Sequence, residues 1–151
     1  MQLSGSKSFP TSPAQTYALL TNPDVLMRAM PGLKSLTARS ATLYEAVIEV
    51  GVAAIKGTYQ GTLEMKDVTP GQGYRMVVHG EGALGFMDAD VRVDLVENEA
   101  SGTDLTYEGE AKVGGTVAGV GQRVLSGVAK LIINQFFNGL LKEAEKTQAT
   151  S

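Results

Sequence analysis

The chain has 151 residues, 43% hydrophobic and 19% charged, with a net charge of −3, no Cys and one His. That is one domain's worth of chain, able to bury a core without covalent staples. It excludes a disulfide framework and thiolate chemistry, excludes a His-based metal cluster, and argues against a nucleic-acid surface.

The opening MQLSGSKSFP has no apolar run and does not read as a signal peptide. No segment approaches the roughly eighteen-residue apolar run of a membrane span, so the cytoplasm is the expected location. Gln2 to Phe9 alternates as a strand with Leu3, Gly5, Lys7 and Phe9 on one face. Ser12 before Pro13 is a cap followed by proline at the first helical position, which starts a short helix through Tyr17 and Leu20. Asn22-Pro23-Asp24 starts a second, running through Val25, Leu26 and Met30 until Pro31-Gly32 ends it.

The middle of the chain has a period of two. Tyr44 to Val52 reads as a strand, and from Ile55 to Met65 the inward set is Ile55, Gly57, Tyr59, Gly61, Leu63 and Met65. After Thr69-Pro70-Gly71, Tyr74, Met76 and Val78 alternate with Arg75, Val77 and His79. Met87 to Leu95 and Leu105 to Val113 repeat the pattern, with acidic residues on the other face. Sequential strands with short turns imply an antiparallel meander, and interleaved Gly lets such a sheet bend strongly. From Thr116 to about Lys146 the chain reads as one helix, roughly 45 Å long. Its apolar face is expected to carry Val117, Gly121, Val124, Leu125, Val128, Leu131 and Ile132, and Phe137 is expected on the polar side.

The predicted order is strand, two short helices, about six antiparallel strands and a long helix. This is an α+β domain over residues 1–146 with a frayed tail at 147–151, its curved sheet gripping the helix. Small residues at Gly57, Gly61, Gly109, Ala111, Gly121 and Gly139 would leave the concavity incompletely filled. The expected result is an apolar ligand site lined by Tyr59, Met65, Met76, Met87, Tyr107, Gly121, Val124, Val128 and Leu131. Any one of these Tyr and Met residues can equally be core filling. Gln135, read on the same stripe, either orients a ligand's carbonyl or hydroxyl or bonds a backbone group.

Other patterns carry less chemistry. Asp88, Asp90 and Asp94 alternate along one strand face and do not form the loop of oxygens that Ca²⁺ prefers, so they read as a solvated face. His79, on the polar side near Arg75 and Glu81, has no nucleophile placed beside it and reads as a surface residue. Gly80 to Gly85 matches GxGxxG as text, but a strand follows it where a dinucleotide site needs a helix, so it reads as a hairpin.

The segment Val113-Gly114-Gly115-Thr116-Val117-Ala118-Gly119-Val120-Gly121-Gln122-Arg123-Val124-Leu125, with Asn134-Gln135-Phe136-Phe137 downstream, resembles the carbon monoxide dehydrogenase G-subunit (CoxG) family. So do Pro13 to Leu20, Asn22 to Leu26, Met30-Pro31-Gly32, and Ile55-Lys56-Gly57-Thr58-Tyr59-Gln60-Gly61. The resemblance spans residues 1 to about 145 and implies the START-like (SRPBCC) helix-grip fold. It implies a non-enzymatic carrier of a hydrophobic molecule, a quinone or lipid, with no catalytic residues, metal or covalently held cofactor. It also implies a molybdenum-containing CO dehydrogenase-type hydroxylase as partner, and peripheral contact at the inner membrane face. Family members that continue into a linker and membrane-binding tail extend beyond this chain's Ser151. Two alternatives stand beside the carrier. One is a polyketide cyclase-like, hydrolase or isomerase enzyme acting on an apolar substrate, which an inward acid or His would support. The other is a pure interaction or recruitment module.

Overall fold

The structure, a computed structural model, describes residues 1–52 and 55–150, with side chains described to residue 147. Strand β1 (Gln2–Phe9) leads into α1 (Pro13–Leu20) and α2 (Pro23–Ala29). Six strands follow: β2 (Leu33–Ala38), β3 (Leu43–Val50), β4 (Gly57–Thr69), β5 (Gly73–Gly82), β6 (Gly85–Glu97) and β7 (Thr103–Gly114). A 3-10 turn over Thr116–Val120 precedes α3 (Gln122–Thr150). The strands form one antiparallel sheet in the order β1-β7-β6-β5-β4-β3-β2. Each strand from β2 to β7 pairs with its chain neighbour, and β1 closes onto β7, with Leu3 opposite Gly109 and Phe9 opposite Thr103.

Local signals set the helix starts. The Ser12 hydroxyl accepts from the Gln15 amide at 3.2 Å, and the Gln15 side chain accepts from the Ser12 amide at 3.1 Å, a reciprocal capping box ahead of Pro13. The Asn22 side chain caps α2 by accepting from the Asp24 amide at 3.0 Å. Gly82 pairs with Gly85 across a two-residue turn, which makes the GxGxxG text a β-hairpin, as its flanking strands imply. Strong curvature depends on close backbone approach: a Cβ on Gly61 would stand 1.7 Å from the His79 carbonyl oxygen on the neighbouring strand.

The structure departs from the sequence expectations at several points. β2 reads as no strand in sequence because it is an edge strand that buries little and does not alternate. β4 begins at Gly57, so Ile55 stands ahead of it. The expected single helix from Thr116 is interrupted at Gly121, whose φ of +101° is left-handed backbone, and α3 starts only at Gln122. It then continues to Thr150, past the expected end at Lys146.

The largest correction concerns which face of α3 meets the sheet. Phe137, Leu140 and Ala144 are buried, with Ile133 and Phe136 packed beside them, whereas Val124 and Leu131 are 44% and 46% exposed. The buried face is rotated from the stripe expected from periodicity: Leu125, Val128 and Ile132 of that stripe stay half-buried, whereas Val124 and Leu131 fall outside it. From Val124 to Ile133 the apolar side chains span a broad arc, with Ser126 and Lys130 on the other side, so periodicity fixes the inward face only coarsely there. The second half decides it. Phe137, expected outside, seats its ring 6.4 Å from Phe9 and 5.4 Å from Tyr107.

Candidate functional site

The curved sheet has two unlike ends. At one, α1, α2 and the second half of α3 close over the inner face, burying Phe9, Met65, Tyr74, Val93, Leu95 and Leu105. Thr11, Thr16 and Thr103, all fully buried, tie β1, α1 and β7 together there. The Thr103 hydroxyl donates to the Thr11 carbonyl at 2.8 Å, and the Thr11 and Thr16 hydroxyls meet at 2.7 Å. Helix α3 is pinned onto α2 by the Arg28 guanidinium, which donates to Glu143 at 2.6 Å. A Cβ on Gly139 would stand 2.5 Å from the Ala29 carbonyl oxygen, so glycine is what lets the two helices approach this closely.

At the other end the inner face continues through Tyr59, Leu63, Met76, Val78, Met87 and Val113, all only half-buried. The facing half of α3 offers Leu125, Val128, Ala129 and Ile132, also half-buried. Helix α3 packs chiefly on α2, then on α1 and β1, and no residue between Gln122 and Ile132 is buried. The result is an open apolar cleft. An open hollow of about 450 Å³ is bounded by Met1, Phe86, Ala111, Lys112, Val113, Ala118, Gln122 and Leu125, and it meets the two apolar walls at its mouth only through Val113 and Leu125. A second hollow of about 320 Å³ lies on the polar side near Gly5, Arg92, Asp94, Tyr107 and Glu108. The Arg92 guanidinium is engaged by Asp94 at 3.0 Å.

The ten residues expected to line a ligand site are distributed over the molecule rather than gathered in one place. Met65 is buried in the closed end, and Met76, Met87 and Tyr107 pack against the core from its edge. Tyr107 lies across Gly5 and against Phe137, so its ring belongs to the closed end. Tyr59 is at the open end, its ring against Gly82 and its hydroxyl donating to the Ile55 carbonyl at 2.6 Å. Val128 is half-buried beside the cleft, while Gly121, Val124, Leu131 and Gln135 point to solvent. Gln135 is therefore not in a buried stripe. Nor do Gly61, Gly109 and Gly139 leave empty volume: neighbouring backbone occupies the space a side chain would take.

Sequence reasoning missed Met1, Phe86 and Gln122 as neighbours of the mouth. Phe86 falls on the outer face of β6 by alternation and covers Gly114 across the hairpin. No pattern in the text predicts this wrap. Met1 is placed by its ammonium group, which donates to the Ala111 carbonyl at 2.9 Å.

The charged pairs of the central strands lie on the outer face of the sheet. The outer sheet face carries Arg75 paired with Asp90, and His79 with its Nδ1 at 2.5 Å from Asp88. The hydrogen bond that His79 donates to Asp88 raises its pKa against some desolvation, with the charges of Asp88 and Glu81 adding to it. His79 is thus a surface residue with carboxylate partners, remote from the apolar wall. Burial raises the Tyr59 and Tyr107 hydroxyls. The Arg28 hydrogen bond holds the Glu143 carboxyl below the usual range, against the opposing effect of burial. Among the described residues no group of His, Cys, Asp or Glu side chains is arranged to hold a metal ion.

Charge is segregated along the chain. Residues 111–142 include Lys112, Arg123, Lys130 and Lys142 and not one Asp or Glu, although the protein as a whole is acidic. Helix α3 is also long and apolar enough by composition to cross a bilayer, contrary to the expectation that no segment approaches such a run. A core helix meets the same criterion, but little of this helix's apolar stretch is buried.

Residues 5–145 match the sequence model of the carbon monoxide dehydrogenase G-subunit (CoxG) family. No curated protein matches the chain. Among solved structures, a conserved protein from Geobacillus kaustophilus is 37% identical, covers 97% of each chain and superposes with a TM-score of 0.94. A START superfamily protein from Mycobacterium smegmatis is 9% identical, with 97% of this chain and 98% of that one covered at a TM-score of 0.74. A protein from Thermus thermophilus is 13% identical, with 97% and 99% covered and a TM-score of 0.72. The last two likenesses establish the START-like fold alone.

Proposed function

We propose that this chain, which belongs to the carbon monoxide dehydrogenase G-subunit (CoxG) family, is a non-enzymatic binding or carrier protein for an uncharged hydrophobic molecule, quinone- or lipid-like, serving a CO dehydrogenase-type molybdenum hydroxylase. The observation that carries this reading is the half-buried apolar surface of the open end, on Tyr59, Leu63, Met76, Val78 and Met87, together with the half of α3 in which no residue is buried. An apolar molecule settling there would remove both walls from water, at about 2.5 kcal/mol per 100 Å² of apolar surface before association costs. The inner-face side chains named at this end include no carboxylate, imidazole or amine, which favours binding over acid–base catalysis and a neutral ligand over an anionic one.

Native mass spectrometry of freshly purified protein, followed by organic extraction, tests the reading. A retained quinone or lipid supports it. Protein that is empty, and that takes up no short-chain ubiquinone on titration, contradicts it.

A recruitment role has its own supporting observation. The outer stripe of α3 exposes Val124 and Leu131 beside Arg123 and Lys130, an apolar and basic surface of the kind a partner enzyme or an anionic membrane covers. Leu131→Glu should abolish capture of the hydroxylase while leaving extractable ligand in place. Capture undiminished by that change would remove the stripe from the interface.

A further inference from the structure

We infer that Asn138 is a covalent modification site: the chain deamidates at Asn138–Gly139, and the fold sorts the two products, admitting aspartate and rejecting isoaspartate. This goes beyond the binding reading and stands independently of it.

Asn22 precedes Pro23, Asn98 precedes Glu99, Asn134 precedes Gln135 and Asn138 precedes Gly139. Only the last is followed by a residue without a side chain, and no Asp in the chain is followed by Gly. Glycine leaves the peptide nitrogen unshielded and free to turn on the neighbouring side chain. In the reaction the Gly139 nitrogen loses its proton to hydroxide and attacks the Asn138 Cγ. The N–Cγ bond forms, the bond from Cγ to the side-chain nitrogen breaks, and ammonia leaves. Water then opens the cyclic imide at one of its two carbonyls. Opening at Cγ gives aspartate on the original backbone. Opening at the main-chain carbonyl gives isoaspartate, whose backbone runs through Cβ and Cγ and is one carbon longer.

The fold requires this labile pair and also shields it. A Cβ on Gly139 would stand 2.5 Å from the Ala29 carbonyl oxygen, so α2 and α3 meet this closely only with glycine there. Gly139 lies inside α3, where its N–H is committed to the carbonyl four residues back and the helical backbone holds the nitrogen away from the Asn138 Cγ. The exposed Asn138 side chain is itself engaged, its Oδ1 accepting from Lys7 Nζ on β1 at 3.3 Å. The reaction therefore belongs to the chain that has not folded or has unfolded.

The products meet the folded structure differently. Aspartate keeps the backbone path and sets a carboxylate where Lys7 already donates. Isoaspartate lengthens the chain between Phe137 and Leu140, both of them buried. The Phe137 ring is fixed against Phe9 and Tyr107, and Gly139 against Ala29. An extra backbone atom between such neighbours displaces one or the other from a close-packed interior.

Peptide mass spectrometry tests this on the parent protein, incubated at mildly alkaline pH either folded or in guanidinium chloride. In denaturant, Asn138 should gain about 1 Da at least about tenfold faster than Asn22, Asn98 or Asn134, and at least about tenfold faster than Asn138 of the folded protein. Denaturant is then removed and compact protein is separated by size exclusion. Electron-transfer fragmentation should find aspartate at 138 in the compact pool and isoaspartate enriched at least about fivefold in the remainder. Asn138→Asp should keep a urea midpoint near that of the parent. Equal rates in the folded and denatured chain, or a rate at Asn138 no higher than at the other asparagines, overturn the site. Isoaspartate shared equally between the pools, or an Asn138→Asp variant that fails to fold, overturns the sorting.

Discussion

The two ends of the sheet are built from the same strands and covered by the same helix, yet one is a sealed core and the other an open wall. At the closed end Leu105, Leu140 and Ala144 are fully buried, and the hydroxyls of Thr11, Thr16 and Thr103 satisfy one another. At the open end Tyr59, Leu63, Met76, Val78 and Met87 are only half-buried, and no residue of α3 between Gln122 and Ile132 is buried. Stability is thus concentrated where α1 and α2 add a second layer. The remaining apolar surface is left for something other than this chain's own folding.

Substitutions should report this division in order of size. Leu140→Ala is expected to cost about 3 kcal/mol in urea unfolding, whereas Leu131→Ala on the same helix should change stability by no more than about 0.5 kcal/mol. Equal costs would mean that the first half of α3 is packed as tightly as the second. Val128→Trp, which fills the cleft from its half-buried wall, should weaken Nile red binding at least thirtyfold, about 2 kcal/mol, while leaving the unfolding midpoint near that of the parent protein. Unchanged affinity would move the site elsewhere.

The glycines of α3 give an opposed pair. Gly139→Ala drives a methyl into the Ala29 backbone and should destabilise by about 1–3 kcal/mol. Gly127→Ala enters open space in the helix interior and should stabilise by up to about 1 kcal/mol. Thermal or urea unfolding of the two variants reads the sign directly.

The smallest effect is in pH. Arg28 lowers the Glu143 pKa in the folded protein, so the pair's contribution is complete above the ordinary glutamate value of about 4.3 and is lost as pH falls through the lowered folded value. The urea midpoint of the parent protein should therefore decline more steeply below about pH 4.3 than that of Glu143→Gln. Parallel declines would show that the pair adds nothing to the stability of the α2–α3 contact.

Much of the fold is legible in sequence because it rests on local rules. Alternation through Tyr59, Leu63 and Met65 and through Met87, Val91 and Leu95 marks the inner face, and Ser12-Pro13 marks α1. The site is less legible, for a physical reason. A helix whose apolar residues span as broad an arc as those from Val124 to Ile133 fixes its orientation only coarsely. The orientation is set from a distance, by Phe137 meeting Phe9 and Tyr107 and by Gly139 meeting Ala29. Three of the glycines expected to leave volume, Gly61, Gly109 and Gly139, are instead met by neighbouring backbone, because whether a missing side chain makes a void depends on what approaches it in space.

Methionine methyl NMR reads both ends in one spectrum, since Met76 and Met87 line the open wall while Met65 is buried at the closed end and Met27 and Met30 lie in and just after α2. Titration with a short-chain ubiquinone or Nile red should shift the Met76 and Met87 methyls and leave those of Met27 and Met30 in place. Saturable binding that leaves Met76 and Met87 unmoved would contradict an apolar ligand site beneath the first half of α3.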